Sequence, residues 1–178
     1  MSKKREILLE QSERLFDRHG FHTVGLKQII KESGVALMTL YNHFNSKEDL
    51  ILEVLKRRET RYLNQLNSSV EKTNSTDLVL ALAEAHMDWI RSYNSYGCMF
   101  LRAKEEYSLN QKANSEIVGF AEKHKNDLVS FFLEKGLNKS EAIRVVLLFE
   151  GATALSEVFD VETVANEMKY SVKKLFSL

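Results

Sequence analysis

Apolar residues recur at three- and four-residue intervals along most of the chain, and no stretch alternates with the two-residue period of a strand. Ile7, Leu8, Leu15 and Phe16 define the stripe of a first helix over Lys3–His19, with Gly20 placed to end it. A second helix over residues 26–33 carries Leu26, Ile29 and Ile30 and stops at Gly34. A very short third helix covers residues 37–43. Ser46 then opens a long fourth helix reaching about residue 68, with Asp49 three positions on in the place a capping box gives to Glu or Gln. Its apolar side is Leu50, Ile51, Val54, Leu55, Tyr62, Leu63 and Leu66. The polar stretch 67–76 is the best candidate boundary.

Beyond it, Thr76 can cap a helix reaching residue 93, with Leu78, Leu82, Ala85, Trp89 and Tyr93 on one side. His86, Met87 and Ile90 widen that stripe, which predicts neighbours on more than one side. Further helices are predicted over 99–107 and over 111–135, the latter closed by Gly136. Asn138 with Glu141 reads as a capping-box start for 142–159, which holds the apolar run 145–149. Asp160 opens the last helix, with Val164, Met168, Val172, Leu175 and Phe176 inward. The expectation is an all-α fold of about nine helices.

Composition narrows the class. The chain has 178 residues, 44% of them hydrophobic, no proline and one cysteine, which excludes wholesale disorder and an internal disulfide. No apolar run approaches the roughly 18 residues of a membrane span, and the first residues lead into no signal-peptide core. A soluble protein of the reducing cytoplasm, without a membrane partner, is expected. Lys+Arg and Asp+Glu balance at 25 each, but unevenly. Through Arg61 there are twelve basic and nine acidic residues, and after it 13 and 16. A mildly basic front suits a small nucleic-acid-binding head on a body that binds something else.

The most informative constellation surrounds Ser33-Gly34-Val35. Two short helices meet at a residue tolerant of positive φ, the layout of a helix-turn-helix. The second is too short to be stable alone and needs inward anchors, for which Val35, Leu40 and Phe44 are suited. That leaves Leu37, Met38, Thr39, Tyr41, Asn42 and His43 partly outward, with Lys47 just beyond. Hydroxyl, amide and imidazole groups on a short rigid helix suit a major-groove reader held on phosphates. An ordinary three-helix packing motif with a polar rim has the same pattern.

Gly20-Phe21, Ile29, Ser33-Gly34-Val35, Thr39-Leu40-Tyr41-Asn42-His43-Phe44 and Ser46-Lys47-Glu48-Asp49-Leu50 together resemble the DNA-binding head of the tetracycline-repressor (TetR/AcrR) family. The later segments Gly97-Cys98-Met99-Phe100-Leu101-Arg102-Ala103, Glu106-Tyr107 and Glu150-Gly151-Ala152 resemble one group within it. The resemblance implies a homodimeric regulator, most often a repressor, released from a palindromic double-stranded DNA operator by a small molecule. It implies a DNA-binding domain at 1–47 and an effector-binding and dimerisation domain at 48–178, joined by helix 4. By position, Lys27, Leu37, Met38 and Thr39 would face bases, while Tyr41, His43 and Lys47 would face phosphates. Leu37 and Met38 could make only apolar contacts, such as to a thymine methyl. Three positions depart from the family pattern. Val24-Gly25 replaces the usual Thr-Ser, Ala36 replaces a capping Ser, and Met38 stands where a small residue is frequent.

The last two helices are strongly apolar for a surface pair, and Gly151, Ala152 and Ala154 permit close helix approach, so a four-helix dimer interface is expected there. Effector-pocket candidates are the aromatic and polar residues of the middle helices: His86, Trp89, Tyr93, Phe100, Arg102, Tyr107, Phe120, His124 and Phe149. For each of them core packing is the plainer role, and Arg102 is expected to pair with a carboxylate such as Glu106. Cys98 would be a redox sensor only if its thiolate were exposed and activated. No His has Glu three positions before it, and there is no His-Glu-x-x-His, glycine-rich phosphate loop or nucleophile elbow. No enzyme, metal or cofactor is expected. The alternative is a helical adaptor or ligand-binding protein of the same fold that does not bind DNA.

Overall fold

A computed structural model describes residues 2–71, 78–93, 96–108 and 115–176. Among these, nine α-helices form and no strand does: α1 Lys3–His19, α2 Leu26–Ser33, α3 Leu37–Tyr41, α4 Lys47–Val70, α5 Leu78–Tyr93, α6 Met99–Ser108, α7 Ser115–Glu134, α8 Lys139–Leu155 and α9 Val161–Leu175. No described helix is long and apolar enough to cross a membrane. The expected cap at Thr76 and the expected helical residues 111–114 lie outside the described residues.

Local chemistry sets the ends. Gly20 and Gly34 adopt φ of 79° and 63° and close α1 and α2, a conformation in which a Cβ is strained. Ser46 Oγ accepts from the Asp49 amide at 3.0 Å, as a capping residue should. The reciprocal bond differs from the expectation: the short Asp49 carboxylate takes the Asn45 amide at 2.9 Å, one residue further back. Asn138 and Glu141 complete a full capping box, so α8 begins at Lys139, three residues before the expected start. It also ends earlier, at Leu155. The amides of Glu157 and Val158 turn back to carbonyls three residues away, tightening the chain before Asp160 caps α9 through the Thr163 amide.

The chain divides into two compact units. The first comprises Met1–Arg58 with Met99–His124 and so contains α1 to α3, the start of α4, α6 and the first part of α7. Leu8, Phe16, Phe21, Val24, Ile29, Leu40, Phe44, Leu50 and Val54 are buried in it. The stripe of α1 is rotated from the expected one. Leu8, Leu9, Ser12, Glu13, Phe16 and Asp17 are its buried residues, while Ile7 and Leu15 are half-buried. The reason is a charged interior. Arg58 donates to Glu13 Oε1 at 3.1 Å and lies 3.4 Å from Asp17 Oδ1, with all three side chains nearly shut from solvent. The Asp17 pair has charge proximity without hydrogen-bond geometry. Burial pushes the Asp17 carboxyl up, and Arg58 only partly offsets it.

The second unit comprises Glu59–Cys98 with Lys125–Leu178. Here α5 packs on α8 and α9 around Tyr62, Leu66, Leu82, Trp89, Phe132, Val145, Phe149, Val164, Met168 and Val172. Leu175 departs from its expected inward position and is 47% exposed, and Phe176 packs against the core only in part.

Candidate nucleic-acid interface

The helix-turn-helix is built as its spacing requires. Left-handed Gly34 links α2 to the Val35-Ala36 step, and the Ser33 hydroxyl accepts from the Val35 amide at 3.3 Å, fixing the turn. Val35, Leu40 and Phe44 are all buried, so α3 is anchored from its inner side. The regular helix stops at Tyr41, two residues short of expectation. The amides of His43 and Phe44 both reach Leu40 O, which carries the chain on as a tight turn into α4.

This anchoring decides which groups remain outward. Lys27, Leu37, Met38, Tyr41 and Asn42 are exposed, and Thr39, His43 and Lys47 are half-buried. Met38 is 73% exposed, so it is no core residue. Burial of its stem lowers the Lys47 ammonium from the ordinary lysine value, and Glu48 and Glu106 offset part of that. Beside this surface, Arg5 sits over the Phe44 ring at 5.3 Å and bonds Glu53 at 2.6 Å. The departures from the family pattern have visible consequences. Neither Gly25 nor Ala36, the N-caps of α2 and α3, supplies a side-chain hydrogen bond. Val24 is fully buried in the head.

The effector-pocket candidates fall into two groups. In the second unit, His86, Trp89 and Phe149 come together. Phe149 O can only accept, so His86 Nε2 donates to it at 3.0 Å, and Nδ1 is left to accept from Tyr62 Oη at 2.8 Å. The imidazole stacks on Phe149 with centroids 4.1 Å apart, and Tyr62 meets Trp89 edge-on. Complete burial lowers the His86 pKa to about 3, so it is a neutral core group near neutral pH. In the first unit, Phe100 stacks on the buried His124 at 3.6 Å, and Tyr107 is buried against Phe21 and His22. Phe120 is half-buried. The Tyr93 side chain lies outside the described residues.

Arg102 acts electrostatically on the carboxylate of Asp17, lowering its pKa in part. Its Nη1 donates to the carbonyl of Asp17 at 2.6 Å and lies 3.4 Å from that of Phe16, while Glu106 accepts from the amides of Phe21 and His22. Sequence reasoning missed Lys125. It reaches the carboxylate of Glu150 and lies 3.3 Å from Cys98 Sγ. Burial alone would lower its pKa, but Cys98 and Glu150 outweigh burial and raise it. Nothing in the stretch around Lys125 distinguished it in sequence from the neighbouring charges Lys123 and Asp127. On the outer side of α8 and α9, a groove of about 350 Å³ is lined by Leu147, Gly151, Leu155, Phe159, Val164 and Met168, among others. Leu147, Leu155 and Phe159 are each at least half exposed.

Residues 8–54 match the family described as bacterial regulatory proteins, tetR family. The HTH-type transcriptional activator FasR of Mycolicibacterium smegmatis is 32% identical over 89 residues, 49% of this chain and 40% of that protein. The HTH-type transcriptional regulator YxaF of Bacillus subtilis is 46% identical over 52 residues, 29% of this chain and 27% of its own. The chain thus matches well under half the length of these curated relatives. The crystal structure of SCO4454, a TetR-family transcriptional regulator from Streptomyces coelicolor, superposes with a TM-score of 0.86 at 29% identity, over 97% of this chain and 88% of that one.

Proposed function

We propose that the chain is a member of the tetR family of bacterial regulatory proteins, whose model residues 8–54 match, and that it is a homodimeric, ligand-responsive transcriptional regulator that reads a palindromic operator. The observation that carries this reading is the anchored α3. Its inner residues are fully used in the core, while Leu37, Met38 and Tyr41 stand exposed beside Lys27 and Asn42. Exposed apolar side chains on a short rigid helix cost solubility without return in an isolated head, but in a major groove they meet thymine methyls. Residues 1–47 form the reading head of this account, and 48–178 bind the effector and the second copy.

Dimerisation is assigned to α8 and α9. Exposed Leu147 and Leu155 of α8, with Val158 and Phe159 of the turn that leads to α9, form an apolar face with Gly151 and Ala154 between, and one five-residue reading helix spans too few base pairs to specify a site alone. The effector acts by population shift. It favours one state of the body, and α4, continuous from Lys47 to Val70, carries that preference to the head. The shift is limited by the effector's differential affinity for the two states.

Repression is the favoured output, and a reporter placed behind the operator separates it from activation. DNA binding itself is tested by titrating sheared genomic DNA at rising salt. A phosphate-bound head loses affinity steeply as salt increases. No salt-dependent binding would favour the second reading, a helical adaptor, to which the missing side-chain caps of α2 and α3 point.

A further inference from the structure

The α1–α2 turn is held by a helix far away in sequence. Glu106 of α6 accepts from two successive backbone amides, Phe21 N at 3.1 Å and His22 N at 2.6 Å, one with each carboxylate oxygen. Its own carbonyl lies 2.7 Å from His22 Nε2. One turn earlier on α6, Arg102 Nη1 bonds the Asp17 carbonyl near the end of α1. One residue later, the Tyr107 ring lies against those of Phe21 and His22, at 6.2 and 4.7 Å. Gly20 completes the fit, since a Cβ there would stand 2.7 Å from Glu106 Oε1. Three neighbouring positions on one helix thus hold the end of α1 and the turn that follows. That turn leads through Val24 and Gly25 into α2, which carries Lys27.

We propose that Glu106 is a positioning residue for DNA reading: its carboxylate fixes the α1–α2 turn and with it the placement of α2 and α3. Glu106 lies outside residues 8–54, so the family match does not cover it. The proposal rests on the DNA-binding reading for its consequence but not for its geometry. It also makes a prediction of unusual sign. Glu106 is close enough to Lys47 to affect its ammonium, so deleting this negative charge should by electrostatics alone strengthen attraction to DNA. The clamp predicts weakening.

The test compares wild type, Glu106→Ala, Glu106→Gln and Glu105→Ala, the last removing an exposed charge on the same helix. DNA affinity is read on a fragment that wild type selects from genomic DNA, and amide hydrogen exchange is read at Phe21 and His22. Glu106→Ala should bind DNA about tenfold more weakly, or about 1.4 kcal/mol. Its salt dependence should not change, because no phosphate contact is removed. The two amides should exchange faster while the core of the first unit keeps its protection. Glu106→Gln, with one acceptor oxygen instead of two, should fall between, and Glu105→Ala should match wild type. Affinity equal to or above wild type in a folded Glu106→Ala protein overturns the proposal, as does unchanged exchange at residues 21 and 22. Should Glu106→Ala not fold, Glu106→Gln decides by the same two readings. If wild type itself binds no DNA, the functional reading fails, and the exchange measurement still decides whether the clamp exists.

Discussion

Tyr41 and Lys47 flank the end of the reading helix and differ in what secures them: Tyr41 leaves about half its surface in water, whereas the stem of Lys47 is packed. Both suit phosphate oxygens, one as a hydroxyl donor and one as a cation. Substituting either by Ala should weaken DNA binding uniformly across sequences, and Lys47→Ala should also reduce the salt slope by about 1. Sedimentation should show the dimer intact. His86 makes a prediction of another kind. Its folded pKa, about 3, lies below the ordinary histidine value, so its contribution to stability is complete above about pH 6.5 and is lost as pH falls toward 3. Urea unfolding should show wild type losing about 2 kcal/mol from this group between pH 7 and pH 5. His86→Gln should be less stable at pH 7 but show a shallower loss over that interval. At this scale the sequence was informative about outward groups and poor about inward polar ones. Thr39, Tyr41 and Lys47 stood out by their spacing around Gly34. Glu13, Asp17 and Arg58 did not, because a buried charge on a helix face has the same periodicity as a solvated one.

Caps separate the helices that form by themselves from those held in place. α8 starts on a complete capping box and α9 on a capping Asp160. Asn138→Ala should cost about 1 kcal/mol of unfolding free energy, measured by denaturant titration, without altering DNA affinity. By contrast the N-cap of α3 is Ala36, which is extended at φ −65° and ψ 147° and offers no side-chain acceptor. Ala36→Ser should stabilise the protein by about 0.5–1 kcal/mol in the same titration, and no gain would mean that the amides of α3 are already satisfied. Start and stop residues made the helices legible: Gly20, Gly34, Asn138 and Asp160 each mark an end within a few residues. The early stop of α8 was not legible, because the apolar residues Val158 and Phe159 continue the pattern past its last residue, Leu155, as an exposed patch. Nor was the role of α6, whose hydrogen bonds to residues 17–22 depend on contacts about 85 residues apart in sequence.

The whole molecule, in this account, works only as a pair. The apolar groove between α8 and α9 would be covered by the same groove of a second copy, and a charge on its lining should prevent that. Leu147→Glu, at a side chain 67% exposed in the monomer, should leave folding unchanged, convert the dimer to monomer in sedimentation, and reduce operator affinity by at least about tenfold, since each head alone makes half the contacts. An unchanged dimer would place the interface elsewhere. The central claim, that a pair of helix-turn-helix heads reads a defined palindrome, is tested most directly by passing sheared genomic DNA from the source organism over the immobilised protein at near-physiological salt and sequencing what is retained. The account predicts a few fragments sharing an inverted repeat, with half-site centres about one helical turn or a multiple of it apart. Retention of no fragment above background, by protein shown to be folded and free of co-purified small molecules by mass spectrometry, would contradict it.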